Sequence, residues 1–565
     1  VECRRVRPDT GQKGLIFVDQ RRVWLAVGLS LLLLLLYQEL VVRRYQQHPH
    51  PDEPITMVPP KATDGATPPP TTPGVPPAPA ATAGGSIAVP VTGAGTVVVE
   101  NDVFRAELTL AGGRLSSLRL KDFKETVAKD SPPLDLVGKS PVLPLTFETG
   151  PETTDAGVVY TADRTTLTLS GEQEGAVVLS GTTADGRSIQ KKFAFRGNSY
   201  LFDVSGSGAA PGTGLVLTTV AKEGAAGGQN PGKEVALALA NQKLVEHSVD
   251  DITKQAVTVD DTQWAGFSAQ YFVALALPAE GTVDTLMGTV PTGLQTADNK
   301  PERMPIVRLE ASAGDGVGPY HVYMGPKERK ILVAAGHQLD RALDFGWFWF
   351  IALPLLYGLE LLHKVTGNYG VDIILLTTIV KLVTIPLTQT SLRSMKAMQK
   401  LQPEVTKLRE RYKDDQVAMQ KELMELYKRN QVNPFSGCLP MVLQIPIFVG
   451  LYNALNHAIE LRHAPFMLWI NDLSSPDRLT IAGVPVPVLT LLMGLSMLVQ
   501  QRMTPQQGDP MQQRMMMIMP VMFTFMFINF PAGLVLYWLV NNLLSISQQY
   551  FMLRGDKVAA PAPSV

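Results

Sequence analysis

The residue best placed to do chemistry in this chain of 565 residues is Lys381. It sits about 12 positions into the apolar run Tyr369–Leu387, roughly 18 Å from the outer end at 1.5 Å per helical residue. An ammonium at that depth costs on the order of 2.5–3.5 kcal/mol, so it calls for a partner or for water. The four later apolar runs contain no Asp or Glu, and Asp372 falls on roughly the opposite helix face near the outer end. Lys381 is therefore expected to lack a protein counter-ion and to face water. Thr377, Thr378, Thr384 and Thr388 lie near it on one helical side. Other runs offer Gln444, Asn453, Ser496, Gln500, Thr524, Asn541 and Asn542. Together these predict a hydrated cavity inside the bilayer. The plainer alternative is a lysine that snorkels to the cytoplasmic headgroups.

Composition fits a chain of unlike parts. Lys+Arg number 50 against 51 Asp+Glu, 18% of residues are charged, 45% are hydrophobic and mean hydropathy is +0.09. This excludes a wholly disordered chain and a globally basic nucleic-acid binder. Two cysteines, Cys3 and Cys438, exclude a disulfide framework and a cysteine metal site. Only eight charged residues fall between Asn433 and Tyr550, and 17 of the 21 methionines lie at or after Met395. Met511, Met515, Met516, Met517, Met519, Met522 and Met526 crowd one run and its approach. Methionine suits surfaces that accept varied apolar partners, although ordinary helix packing explains most such residues.

The elements that must position Lys381 follow from hydropathy. Residues 1–22 form the N-terminus, and a second Val-Asp-Gln-Arg-Arg start at Val18 suggests that translation begins there. Residues 23–42 are read as an uncleaved signal anchor, because no small-residue cleavage site follows the apolar run. Residues 43–96 are a spacer, with thirteen prolines between Pro49 and Pro90. Residues 97–340 alternate apolar and polar side chains, as at Phe104, Ala106 and Leu108, with turn signals at Asp185-Gly186 and Gly197-Asn198. Many short strands with Gly-rich punctuation predict an all-β sandwich. Residues 345–366 read as an interfacial amphipathic helix. Membrane spans are expected at 369–388, 436–458, 481–501, 515–530 and 532–550, with an outer loop at 459–480 and a short tail at 551–565.

The segment 389–432 is expected to be a helical hairpin. Met398, Leu401, Val405, Leu408 and Tyr412 are spaced as one stripe, Asp414-Asp415 marks a turn, and Met419, Leu423 and Leu426 form a second stripe. Its faces are basic, with Arg393, Lys396, Lys400, Lys407, Arg409, Arg411 and Lys413 on the first arm and its turn. Ten Lys/Arg between Gln389 and Asn430, against two in Ile459–Leu479, place the hairpin in the cytoplasm. Both termini then lie inside and the β domain outside. The basic faces suit lipid headgroups, ribosomal RNA or a partner protein.

These residues resemble the YidC family of membrane protein insertases in its Gram-negative form. The resemblance rests on LTQTSLRSMKAMQKLQPE, VNPFSGCLPMVLQIPIF, ELRHAPFMLWINDLS and DPMQQRMMMIMPVMFTFMFINFPAGLVLYW, with VENDVFRAELTLAGGRLSSL and WAGFSAQYFVALALP in the outer domain. It implies a periplasmic sandwich and a five-span helical core, with the N-terminal anchor and cytoplasmic hairpin added. It also implies insertion of nascent inner-membrane proteins into the lipid bilayer, alone or with the Sec translocon, through a groove that carries one positive charge. Family members hold arginine at the position matching Lys381. Lysine keeps the charge but loses the five-donor fork. Gln444, Tyr537 and Trp538 match groove-lining or substrate-contacting positions. The tail beyond Leu553 holds only Arg554 and Lys557, so ribosome contact would fall mainly to the hairpin. No nucleotide motif appears, and no enzyme activity or cofactor is expected. A secondary transporter is the main alternative, and it would need the intramembrane carboxylates that the four later spans lack. A sugar enzyme on the outer domain has only His247, His321 and His337 to draw on, without a motif.

Overall fold

The computed structural model describes residues 95–138, 140–150, 153–208, 214–220, 234–295, 301–310, 316–413, 415–432, 439–503 and 510–555. The expected anchor, the spacer (but for its last two residues), both cysteines and most of the tail lie outside the described residues.

Residues Thr96–Pro326 form a sandwich of a five-stranded and a fourteen-stranded sheet. The period-2 pattern positions its core. Phe104, Ala106 and Leu108 are fully buried while Arg105 and Glu107 point outward, and this strand pairs antiparallel with Thr96–Glu100. Phe104 meets Phe195 and Phe202 of the larger sheet edge-on, with ring centroids 6.2 and 6.3 Å apart, which ties the two sheets together. Strand Ser188–Arg196 turns Ile189, Lys191, Phe193 and Phe195 inward. Lys191 Nζ is therefore sealed in the core, 2.5 Å from the equally buried Asp155 carboxylate. It also donates to the carbonyl of Leu145 at 2.8 Å, while Asp155 accepts from Tyr160 Oη and from the Phe147 N–H.

The rest is helical. Two short helices, α1 (Val249–Lys254) and α2 (Arg329–Ala335), belong to the outer domain and its exit. The larger helices are α3 (Trp349–Thr366), α4 (Tyr369–Arg411), α5 (Gln416–Arg429), α6 (Leu439–His457), α7 (Val488–Met503), α8 (Pro510–Phe527) and α9 (Ala532–Gly555). Helix α3 buries Ala352, Leu356 and Leu359 and exposes Trp347, Trp349 and Phe350 around its start. Its contact with α6 is close, since a Cβ at Gly450 would stand 2.8 Å from Ile351.

Two boundaries differ from the sequence reading. The span 369–388 and the first hairpin arm are one continuous 43-residue helix, about 64 Å long. Asn368 caps its start by accepting from the N–H groups of Gly370 and Val371, and no break separates span from arm although Pro386 and Pro403 lie inside. The stretch expected to open a span at Ile481 begins instead as a β-hairpin, Leu479–Ile481 with Val484–Val486, turning at Ala482 and Gly483 with positive φ. Helix α7 starts only at Val488, where Asp477 accepts from the N–H groups of Leu489 and Thr490. The second arm, α5, starts at an Asp415 cap, and Met398, Leu401, Val405 and Leu426 are buried.

The sandwich rests on the outer ends of the helices. Gln270 donates to Asn456 Oδ1 at 3.1 Å, Arg462 donates to the Lys124 carbonyl at 2.8 Å, and Lys330 pairs with Glu360 at 2.8 Å. Asn453, expected in the groove, donates instead to the Phe345 carbonyl at 2.8 Å and secures the start of α3.

Candidate functional site

Lys381 lies half-buried on α4, facing α9. Its Nζ donates to Ser545 Oγ at 2.7 Å, and no carboxylate of the described residues pairs with it. The serine is oriented for this role: its own hydroxyl donates to the Asn541 carbonyl one turn earlier, which leaves a lone pair for the ammonium. Asp372, the acid on the same helix, is fully buried and committed elsewhere. It meets His363 Nδ1 at 2.8 Å and accepts from the Thr366 hydroxyl. Lys381 does have a neutral protein partner that the sequence reading missed.

The threonine hydroxyls bond to their own helix. Thr377, Thr378, Thr384 and Thr388 each donate to a carbonyl four residues earlier on α4, at 2.5, 2.8, 3.1 and 2.9 Å. Their hydroxyl protons are used within the helix, as often happens where water is scarce. Beside Thr377 and Val380 lies a cleft with apolar walls that include Leu355, Ile373, Ile447 and Leu451. Tyr537 closes it, and Gln444 Nε2 donates to the Tyr537 hydroxyl. Trp538 packs among Phe448, Phe523 and Phe527, with centroids 4.8, 5.9 and 5.1 Å away, in an aromatic cluster that joins α6, α8 and α9. Ser496 accepts from Asn542 at 3.0 Å, and Thr524 packs against Gly494 while donating to the Pro520 carbonyl. Most of the polar groups expected to line a cavity therefore bond either within their own helix or to a neighbouring element.

The polar face opposite Lys381 is on α9. Asn541, Asn542, Ser545, Gln548 and Gln549 recur at i, i+1, i+4, i+7 and i+8, which is one face of a helix. Both amide ends of Gln548 are shielded from solvent and have no partner among the described residues. The spelling NNLLSISQQ carries this stripe, so the last three members were within reach of sequence periodicity.

The basic arm also divides. Lys396 Nζ donates to the Met552 carbonyl at 2.7 Å and so holds the end of α9. Arg393, Lys400, Lys407, Arg409, Arg411 and Lys413 are the other basic positions of the arm and its turn. The exposed large apolar residues of α8 include Met517, Met522, Phe525 and Met526, which gives the methionine-rich run an outward apolar face.

Known proteins match this arrangement over nearly its whole described length. The family model of the YidC periplasmic domain matches residues 96–357, and that of the 60Kd inner membrane protein matches 361–559. The membrane protein insertase YidC of Geobacter metallireducens is 39% identical over 479 residues, covering 82% of this chain and 86% of that protein. That of Maridesulfovibrio salexigens is 36% identical over 561 residues, covering 96% of this chain and all of that protein. The chain belongs to the YidC family of membrane protein insertases. It is accordingly an inner-membrane protein with a periplasmic β-sandwich and a helical C-terminal core, and its function is that of an insertase. A solved YidC insertase with its first transmembrane domain resolved is 20% identical, with a TM-score of 0.37, covering 82% of this chain and 95% of that one. The two family models meet within α3, so the Lys381–Ser545 contact lies wholly within the 60Kd inner membrane protein part of this YidC-family chain.

Proposed function

We propose that this YidC-family chain inserts and helps fold inner-membrane proteins by drawing the polar, often acidic outer segment of a nascent chain toward Lys381. The observation that supports this reading is the ammonium's partnership: a neutral serine hydroxyl at 2.7 Å holds its position but leaves its charge uncompensated. A carboxylate that reaches Lys381 therefore meets an unneutralised cation in a medium where attraction is strong. The polar stripe of α9 and the water it admits lower the cost of moving backbone amides partway across. The apolar segment then leaves along the methionine-bearing face of α8 into lipid, where burying about 20 apolar residues favours the step. Gln444, Tyr537 and Trp538 frame the apolar side of this path.

In this reading the α4–α5 hairpin, both termini and the α9 end face the cytoplasm, and the hairpin's basic residues meet the ribosome or lipid headgroups. Cooperation with the Sec translocon and a folding role belong to the same proposal. So does a chain crossing the membrane six times, counting the anchor. Proteoliposomes containing the full chain and a single-span phage coat protein test the mechanism. Lys381→Ala should lower insertion of a substrate with an acidic translocated segment at least about tenfold, or ~1.4 kcal/mol. Lys381→Arg should insert at close to the wild-type rate. Full insertion by the alanine variant would exclude the charge attraction.

A further inference from the structure

We infer that Ser545 is the positioning residue that keeps the Lys381 charge inside the helix bundle, and that it thereby sets the preference for acidic over uncharged translocated segments. The inference rests on the proposed attraction between Lys381 and substrate, and adds a second residue to it.

Three observations carry it. The Ser545 hydroxyl is buried, at 8% exposure, and its proton is already donated to the Asn541 carbonyl, so its remaining capacity is that of an acceptor. Lys381 Nζ uses that acceptor at 2.7 Å. An ammonium has three N–H donors, so two stay free for an incoming carboxylate. The ammonium makes no hydrogen bond to the α4 threonines among the described residues, and Asp372 is occupied by His363 and Thr366.

A lysine on a membrane helix tends to stretch its flexible stem toward the headgroups. There an anionic phosphate would neutralise it, and the charge would be lost to the groove. The serine opposes this drift without cancelling the charge, whereas a carboxylate at the same place would hold the lysine and silence it. The pairing also suits lysine in particular. A compact ammonium on a flexible stem is held by one well-placed acceptor, while a planar guanidinium needs a fork of them.

The test measures insertion into proteoliposomes by the full chain, with two coat-protein substrates that differ only in having an acidic or an uncharged translocated segment. The readout is the ratio of their rates. Ser545→Ala should lower the ratio roughly threefold to tenfold, the usual net weight of one intramolecular hydrogen bond. Ser545→Thr keeps the hydroxyl and should keep the ratio. Ser545→Asp should bring it down to the value of Lys381→Ala, and Ser545→Ala added to Lys381→Ala should lower it no further. An unchanged or raised ratio in Ser545→Ala overturns the inference, and so does an equal fall for both substrates, which would indicate packing alone. If Ser545→Ala does not fold, a wild-type ratio in Ser545→Asp overturns it. If Lys381→Ala itself leaves the ratio unchanged, the proposed attraction fails rather than the role of Ser545.

Discussion

Two lysines turned inward in this chain, one fully buried and one half-buried, keep opposite company. Lys191, in the sandwich, has no exposed surface and lies 2.5 Å from Asp155, with the Leu145 carbonyl on its other side and the Phe147 ring 4.0 Å away. Lys381, in the helical core, has a serine hydroxyl. Desolvation favours the neutral form of both Lys191 and Asp155, and their mutual attraction opposes it. The first lysine therefore has its counter-charge inside the sandwich, with the buried Arg114 nearby as a second cation. The second is incomplete as it stands. A buried cation matched by an acid stabilises a fold once both are in place. A buried cation matched only by a dipole keeps its attraction for something that arrives later. The contrast supports the proposal that insertion is worked by the helices and not by the sandwich.

The largest effect should come from splitting the matched pair. Lys191→Met leaves Asp155 buried without its counter-charge, and should lower sandwich stability by about 3–5 kcal/mol in urea unfolding of the detergent-solubilised protein. Replacing both partners with apolar residues should recover most of that loss. Insertion by whatever folded protein remains should be nearly unchanged. An equal loss of insertion per folded molecule would erase the distinction between the two lysines.

A third lysine sharpens the scale. Lys327, at the exit of the sandwich, is 6% exposed and donates to Ser268 Oγ at 2.9 Å, with Glu246 and Asp344 near enough to favour its charge. Burial still wins and lowers its pKa from 10.5 to about 8. Between pH 8 and 10.5 the unfolded chain therefore binds more protons than the folded one, so stability should rise with pH across that window. The full gain is about 3 kcal/mol. Hydrogen exchange near Ser268–Tyr271 should slow as pH rises, after correction for the intrinsic rate, and Lys327→Met should flatten the trend. A fall in stability over the same range would mean that the acids outweigh burial.

Lys381 should show the reverse sign to Lys191. Lys381→Met removes a charge that the bilayer disfavours by about 2.5–3.5 kcal/mol. Part of that penalty is already relieved by Ser545, so the helical core should gain about 1–3 kcal/mol while insertion of acidic substrates falls. Resistance of the core to sodium dodecyl sulfate unfolding in mixed micelles would measure the gain. Loss of stability in this variant would make Lys381 a structural residue like Lys191.

Parity and period account for what was legible beforehand. Alternation at Phe104, Ala106 and Leu108 marks the sandwich, and the continuation of helical spacing through Met398, Leu401 and Val405 marks the first arm. The same parity places Lys191 inward between Ile189 and Phe193, although its charge makes an outward reading more natural. Lys381 stood out because a charge in an apolar run is conspicuous. Ser545 did not, since a serine in a span is unremarkable until the residue across from it is known. The bonding of the threonines was not legible, because composition cannot tell a hydroxyl turned to its own helix from one turned to a cavity. That choice depends on a rotamer. The hairpin before α7 was hidden by its apolar residues, which suit a strand as well as a span.

The smallest effect concerns Lys396, which sequence placed with the outward-facing cations of the arm. Its Nζ reaches the Met552 carbonyl at 2.7 Å, within the last turn of α9, where carbonyls lack helical partners and the helix dipole is negative. Lys396→Met should therefore loosen the end of α9 by about 0.3–1 kcal/mol. The fall should appear as faster hydrogen exchange over Gln548–Met552, with the sandwich unaffected. Lys400→Met changes the arm's charge equally without a known contact to that carbonyl, and should leave the α9 end as it was. If both variants speed exchange alike, the arm acts on α9 through its overall charge and the Lys396 contact has no special part. If only Lys396→Met does, one cation of the arm belongs to the framework that supports Ser545, and the arm's outward basic surface is smaller by one.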